Sequence, residues 1–518
     1  MHPRQFVRDS IGMAFSQYVV RLLLMTRGVI AARLLGPAAY GAWNGLMLIL
    51  DYGVLAPLGT QQGLDQAVPE RIVEGDAERL ARLKRGGLFN IVLLTSLFAL
   101  ACLLFFYRSS GQIRSFWGLG GVAGVLMCSA ATSLAFYHLT LLRSHGNIAS
   151  VAVWSMIQGS IGALLGLALI PMLGAWGLLV GWLTGTLASL IYVRLQGRIV
   201  APLAPVPSRE SLRLLAVGFP MFLFACSNLV MRTLDRIIIL RFLGTEALGY
   251  YSLGVMAIGL MLYLPDSVAY VLYPRLLRRY RESDRRPESV REPFERTLRA
   301  VALLVPVLCG FSYLAADDLV VWVLPRFADG LVPLKVLGFG ALGLALANLS
   351  SILLMTLGHR LALVSAAFMM AGLGATLAMM AVFRGQGIVG VAWVTMFAYV
   401  VDGAILLWLA TGALRLGFGA RARMLASGFM PLLIAFAFAV FLDRALPWPD
   451  AVGGRRALLR LVMGLPLFFA IYWLAVYPWA RGLGLRQLMT EFNLPWARRA
   501  GAAPSNGPGA AGPQKVGE

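Results

Sequence analysis

Three stretches of this chain, Leu88 to Tyr107, Val336 to Gly358 and Leu361 to Phe383, run for 20, 23 and 23 residues without a charged side chain. A helix rises 1.5 Å per residue, so about 20 apolar residues cross the hydrocarbon layer of a bilayer. The same reading along all 518 residues predicts spans at 9–34, 38–58, 86–108, 115–142, 148–171, 174–195, 211–242, 246–273, 297–316, 334–358, 360–383, 387–412, 424–442 and 459–480. The expected fold is therefore all-α and polytopic, with about 14 transmembrane helices. Composition agrees, since 59% of the residues are apolar and 13% charged, with a mean hydropathy of +0.76. A soluble chain carries about twice that charge.

The net charge of +21 suits nucleic acid only if its location is ignored. With the N-terminus in the cytoplasm, loops and tails on that side hold 30 of the 45 Lys and Arg, the other side holds 11, and four lie within helices. This excess follows the positive-inside rule and predicts both termini cytoplasmic. Nine arginines fall between Arg275 and Arg299, which reads as a topogenic loop lying against anionic lipid. Arg4 and Arg8 before an apolar stretch imitate a secretory signal. That stretch contains Gln17 and Arg21 and lacks a small-residue cleavage site, so it reads as an uncleaved first span. The four cysteines and four histidines are scattered without ligand spacing, so no metal, cofactor or disulfide framework is expected. No nucleic acid partner is expected either.

The chain writes one piece of punctuation twice. "RLLGPAAYGAW" at Arg33 returns as "RFLGTEALGYY" at Arg241, so that Gly36 matches Gly244 and Gly41 matches Gly249. "GAWG" at Gly174 and "GIVG" at Gly387 form a second anchor at nearly the same offset. Two anchors predict two homologous six-helix lobes, 1–200 and 209–415, followed by two additional helices at 424–480. An even number of spans separates the copies, so the lobes are parallel repeats about an axis along the membrane normal, with a substrate path between them. The glycines themselves mark close packing and turns rather than chemistry. The remaining segment, 481–518, reads as an interfacial stretch followed by a disordered Gly-, Pro- and Ala-rich tail.

Charges at bilayer depth each cost about 2.5 to 3.5 kcal/mol on insertion scales, so they point to function. They gather in a few places: Arg21 and Arg27 in the first span, Asp51 in the second, Arg232, Asp235 and Arg236 in the seventh, Asp266 in the eighth and Asp402 in the twelfth. Arg21 lies roughly 20 Å along its helix, near the bilayer centre. It either lines a cavity or pairs with Asp51. Arg27 either faces the cavity or snorkels to the outer interface. Arg232 and Arg236 share one helix face, where two guanidinium forks suit a diphosphate, with Asp235 bridging or orienting them; an internal Arg-Asp cluster is the alternative. Asp266, in "LPDS", either caps a helix broken at Pro265 or serves the cavity. Asp402 is a candidate proton or sodium site. No phosphate loop for ATP is present, and no nucleophilic triad or paired-carboxylate site stands out in the loops, which are too short to hold a sugar-nucleotide donor; a transporter rather than an enzyme is expected.

"RLLGPAAYGAW" with "LGTQQGLDQAVPERIVEGDAERLARL", and "LDRIIILRFLGTEALGYYSLG" with "VLYPRL", resemble the first two and the seventh and eighth helices of the Wzx-type oligosaccharide flippase, or polysaccharide biosynthesis, family. That family belongs to the multidrug, oligosaccharidyl-lipid and polysaccharide exporter superfamily, and the resemblance extends over about residues 9 to 412. It implies flipping of an undecaprenyl-diphosphate-linked oligosaccharide to the outer leaflet of a bacterial inner membrane for O-antigen, exopolysaccharide or capsule. Arg21, Arg27, Arg232 and Arg236 would hold the diphosphate. It also implies membrane lipids, and polysaccharide polymerase and chain-length proteins, as partners of a monomer. A multidrug cation exporter and a peptidoglycan-precursor flippase of the same superfamily are the alternatives.

Overall fold

The computed structural model describes residues 3–109, 112–145, 147–195, 209–445 and 454–480. All secondary structure among them is helical. The lobe boundary near 200 and the segment from 481 onward lie outside the described residues.

Helix α1, Pro3–Leu55, covers the first two predicted spans in two arms. They are separated at Gly36, whose φ of 75° and ψ of 173° leave the helical region, and Pro37 follows it. Glycine adopts that backbone without steric cost, and proline at the start of the second arm has no amide proton to lose. The predicted connector that follows is not a loop. It forms a polar helix, α2 (Thr60–Glu74), closed at each end by a left-handed glycine, Gly59 at φ 91° and Gly75 at φ 75°. The sequence pattern concealed α2 because a 15-residue, mostly polar helix carries no apolar run.

The remaining helices are α3 (Ala77–Arg108), α4 (Gln112–Ser144, broken at Gly118), α5 (Ile148–Leu173), α6 (Ala175–Leu195), α7 (Arg209–Phe242) and α8 (Thr245–Glu282). They continue as α9 (Arg291–Val323), α10 (Leu331–Leu357), α11 (Arg360–Phe383), α12 (Gly387–Ala413), α13 (Phe418–Ala445) and α14 (Gly454–Ala480). Side-chain caps set several starts: Asp76 accepts from the Arg79 amide at 2.9 Å and Asn147 from the Ser150 amide at 3.2 Å. Among the described residues, eleven helices, α3 to α13, are long and apolar enough to cross a membrane.

Packing follows from pattern. The apolar window of α10 is 89% buried, against 22% for α3, as expected of a helix that is hydrophobic all round and has neighbours on every side. It sits among α8, α9 and α12, while α9 carries α13 and α14 on its outer face. There Phe468 of α14 fills the notch left by Gly310 of α9, and the Tyr472 hydroxyl donates to the Leu303 carbonyl at 2.8 Å. Helix α1 packs on α4 and α5 and also against α8. In that last contact the two glycine-bearing segments meet: a Cβ on Gly41 would strike the Thr245 and Gly249 backbone, and one on Gly249 would strike the Pro37 carbonyl. Phe327, in the turn before α10, takes Tyr40 and Tyr250 edge-on, at 6.1 and 6.2 Å. Toward the other end of α7, Gly59 and Gly63 beside α2 touch the α7 backbone at Leu214 and Gly218. Thus α1 and α2 meet α7 and α8 backbone to backbone at two places well separated along the molecule.

Candidate functional site

The first arm of α1 directs Arg21 and Arg27 at aromatic rings. The Arg21 guanidinium carbon lies 4.9 Å from the centroid of Tyr263 on α8, and that of Arg27 lies 5.5 Å from Trp182 on α6. Arg27 Nη1 is buried with no hydrogen-bond partner among the described residues. Its surroundings include Tyr40, and Met256 and Tyr40 also bracket Gly28 one residue on. No ion pair joins Arg21 to Asp51 among the described residues. Asp51 instead interacts electrostatically with Arg236 of α7, so the alternative in which Arg21 pairs with Asp51 is not what the described residues show. A cation over a ring gains about 0.5 to 2 kcal/mol, less than the cost of placing an arginine at bilayer depth.

On α7 the two arginines one turn apart diverge. Arg236 Nη2 folds back to donate to the Arg232 carbonyl at 2.9 Å, whereas Arg232 enters a small cavity between α7, α10, α11 and α12 that Asp402 also lines. Asp235 forms no side-chain ion pair with either among the described residues but lies within electrostatic reach of Arg236. It is buried, accepts from the Arg236 amide at 2.8 Å and the Tyr251 hydroxyl at 2.5 Å, and Tyr251 lies 3.2 Å from the Thr395 hydroxyl. That network links α7 to α8 and α12. Arg232, Asp235, Arg236 and Asp402 all lie within electrostatic reach of the buried Tyr399 ring. The Nε atoms of both arginines and Oδ1 of Asp402 are buried without hydrogen-bond partners among the described residues.

Asp266 does not cap a broken helix, since α8 runs unbroken through Pro265 and Pro274. Its Oδ1 accepts from Asn348 Nδ2 of α10 at 2.9 Å, and Asn348 lines the same cavity as Arg232 and Asp402, with Asn228 and Ser351. Tyr263 lies within electrostatic reach of both Arg21 and Asp266. A polar line therefore runs from Arg21 through Tyr263, Asp266 and Asn348 to Arg232 and Asp402. Sequence reasoning named the charged members and missed Tyr263, Trp182 and Asn348. Asn348 carried a usable signal as an amide in mid-span. The aromatic residues carried none, because lipid-facing and ring-stacking aromatics look alike in sequence. Among the described residues no three His, Cys, Asp or Glu side chains gather as metal ligands. Chemically, the arrangement offers guanidinium donors and ring faces to an anionic, ring-bearing molecule.

A sequence profile described as "Polysaccharide biosynthesis protein" matches residues 30–326. No curated protein sequence matches the chain. Among solved structures, the fold is similar to the lipid II flippase MurJ in an inward closed conformation, with a TM-score of 0.66 at 13% identity over 90% of this chain and 99% of that one. It is also similar to an inward-facing multidrug resistance MATE transporter of the MOP superfamily, with a TM-score of 0.61 at 16% identity over 80% and 98%. A MOP superfamily transporter from Pyrococcus furiosus gives 0.56 at 17% identity over 81% and 95%. At such identities the likeness is one of fold. The profile, covering more than half of a multi-pass helical chain with a MOP transporter fold, places this protein in the polysaccharide biosynthesis protein family.

Proposed function

We propose that the protein flips an undecaprenyl-diphosphate-linked oligosaccharide from the cytoplasmic to the outer leaflet of a bacterial inner membrane, by alternating access, for surface polysaccharide assembly. The observation that carries this reading is that Arg21 and Arg27 rest on Tyr263 and Trp182 instead of on carboxylates. A diphosphate can displace a ring from a guanidinium fork and keep the charge compensated, and the freed ring then offers its face to a sugar. In this reading Arg21, Arg27, Arg232 and Arg236 bind the diphosphate, Asp51 and Asp235 orient arginines, and Asp402 with Asp266 couples transport to a cation. The two arms of α1, the eleven apolar helices and α14 form 14 spans, arranged as two parallel six-helix lobes with α13 and α14 added. Both termini are cytoplasmic. Moving an anion outward from a negative interior gains about 2.3 kcal/mol per charge per 100 mV, so the potential assists the cycle.

Deletion of the gene, with lipid analysis of the host, tests the proposal. Sugar-loaded undecaprenyl diphosphate is expected to accumulate on the cytoplasmic leaflet while surface polysaccharide disappears. Unchanged polysaccharide with new sensitivity to cationic dyes would instead identify a multidrug exporter, and accumulation of the peptidoglycan precursor would identify the third reading.

A further inference from the structure

A groove with no lining residue from α1 or α7 opens where the first turns of α9 and α13 meet the last turn of α14. Its volume is about 480 Å³, within the size range of small-molecule sites. Arg291 and Arg299 enter it from α9 and Arg423 from α13, and Glu295 stands between the first two. Glu295 accepts from Arg291 Nε at 2.7 Å and lies 3.7 Å from Arg299 Nη2. It holds both side chains in place while cancelling a single charge, so the groove keeps a surplus of two positive charges. Arg423 makes one bond among the described residues, from Nε to the Gly419 carbonyl at 3.4 Å, which leaves its terminal nitrogens available. Below the charges the wall turns apolar, with Leu303, Met424 and Pro478.

We infer that this groove binds the headgroup of an anionic phospholipid, its phosphate between the arginines of α9 and α13 and the start of its acyl chains on the apolar wall. Four observations converge on that occupant. Helix ends place the groove at headgroup depth. Guanidinium forks from two helices suit a phosphate diester. A free anion has no use for the apolar wall. The chain's own continuation past Pro478 is a poor occupant, because residues 481–499 carry Arg481, Arg486, Arg498 and Arg499 against Glu491. No residue proposed to bind or couple to the transported molecule lies here, so the inference stands apart from the proposed function. It gives part of the arginine-rich stretch from Arg275 to Arg299 a specific ligand in place of a general attraction to the membrane surface. A lipid bridging α9 to α13 would hold the added helices against the rest of the bundle.

Equilibrium binding of dioctanoyl phosphatidylglycerol to the purified full-length protein in neutral detergent, followed by native mass spectrometry, tests the site. Dioctanoyl phosphatidylcholine and inorganic phosphate serve as comparison ligands. Each basic residue near a membrane surface strengthens attraction to anionic lipid about fivefold. The double variant Arg299→Gln with Arg423→Gln is therefore expected to weaken phosphatidylglycerol binding about 25-fold. Arg278→Gln, which changes an exposed arginine paired with Glu282 outside the groove, is expected to leave it unchanged. Both comparison ligands are expected to bind at least about tenfold more weakly than phosphatidylglycerol. Equal binding of the two lipids, phosphate binding as tight as the lipid, or a loss in Arg278→Gln equal to that in the double variant would each overturn the inference. If the double variant does not fold, Arg423→Gln alone decides, with about a fivefold loss expected and no loss refuting the site.

Discussion

Arg21 and Arg27 hold their charge in a layer where each arginine is costly, and neither is met by an acid among the described residues. In the proposed function this absence matters, because a carboxylate partner would have to be displaced before a phosphate could bind. Arg21→Ala is expected to lower surface polysaccharide output roughly ten- to hundredfold, the range that corresponds to losing hydrogen bonds to a charged group. Its level in the membrane should match the parent, since no ion pair is broken. Quantifying polysaccharide and membrane-inserted protein in the same cells checks both halves, and normal output would remove Arg21 from the site. At this scale the sequence exposed what was charged and hid what was merely aromatic. A buried arginine is rare enough to be conspicuous, whereas Tyr263 and Trp182 stand among 16 tyrosines and 12 tryptophans. Only the neighbouring helix reveals that a guanidinium covers their rings. The divergence of Arg232 and Arg236 was hidden for a related reason, since spacing of one turn fixes a shared face but not where two long, flexible side chains end.

Among the helices, the apolar runs were legible because length and absence of charge are what a bilayer demands. The start and end positions were less so. Helices α3, α8 and α9 continue beyond the hydrocarbon as polar extensions, and α8 passes straight through Pro265, where local chemistry suggested an end. Neighbouring helices and relaxed backbone satisfy the carbonyl that proline leaves unpaired, as is common in membrane helices. The attachment of α14 to α9 centres on Phe468 in the Gly310 notch, beside the Tyr472 bond to Leu303, with Cys309 next to it buried to 1% exposure and its Sγ 3.2 Å from the Gly338 carbonyl. Removing a buried phenyl group costs about 3 to 5 kcal/mol, enough to let this contact open. Phe468→Ala, in a background with Cys309 as the sole cysteine, is expected to react with a membrane-permeant maleimide at least about tenfold faster than the parent. An unchanged labelling rate would mean that other contacts hold α14 in place.

For the molecule as a whole, the distribution of arginine predicts orientation. A reporter enzyme fused after Glu518 is expected to be active when it requires the cytoplasm and silent when it requires the periplasm; the opposite pattern would invert the topology. The repeated "RLLG" and "RFLG" segments were legible as punctuation, yet nothing in a linear chain announces that they would touch. At their closest approach, as between α2 and the start of α7, main chain lies against main chain at glycines. Side chains flank both seams: Tyr40 and Tyr250 meet on Phe327 at the first, and Gln66 Nε2 donates to Met221 Sδ at 2.6 Å beside the second. Parting such surfaces exposes carbonyls near the ends of the bundle, where water can replace their contacts. In the proposed transport cycle, close glycine seams of this kind are the surfaces along which one pair of helices would slide past the other, as small residues allow backbones to approach and part without bulky side chains between them.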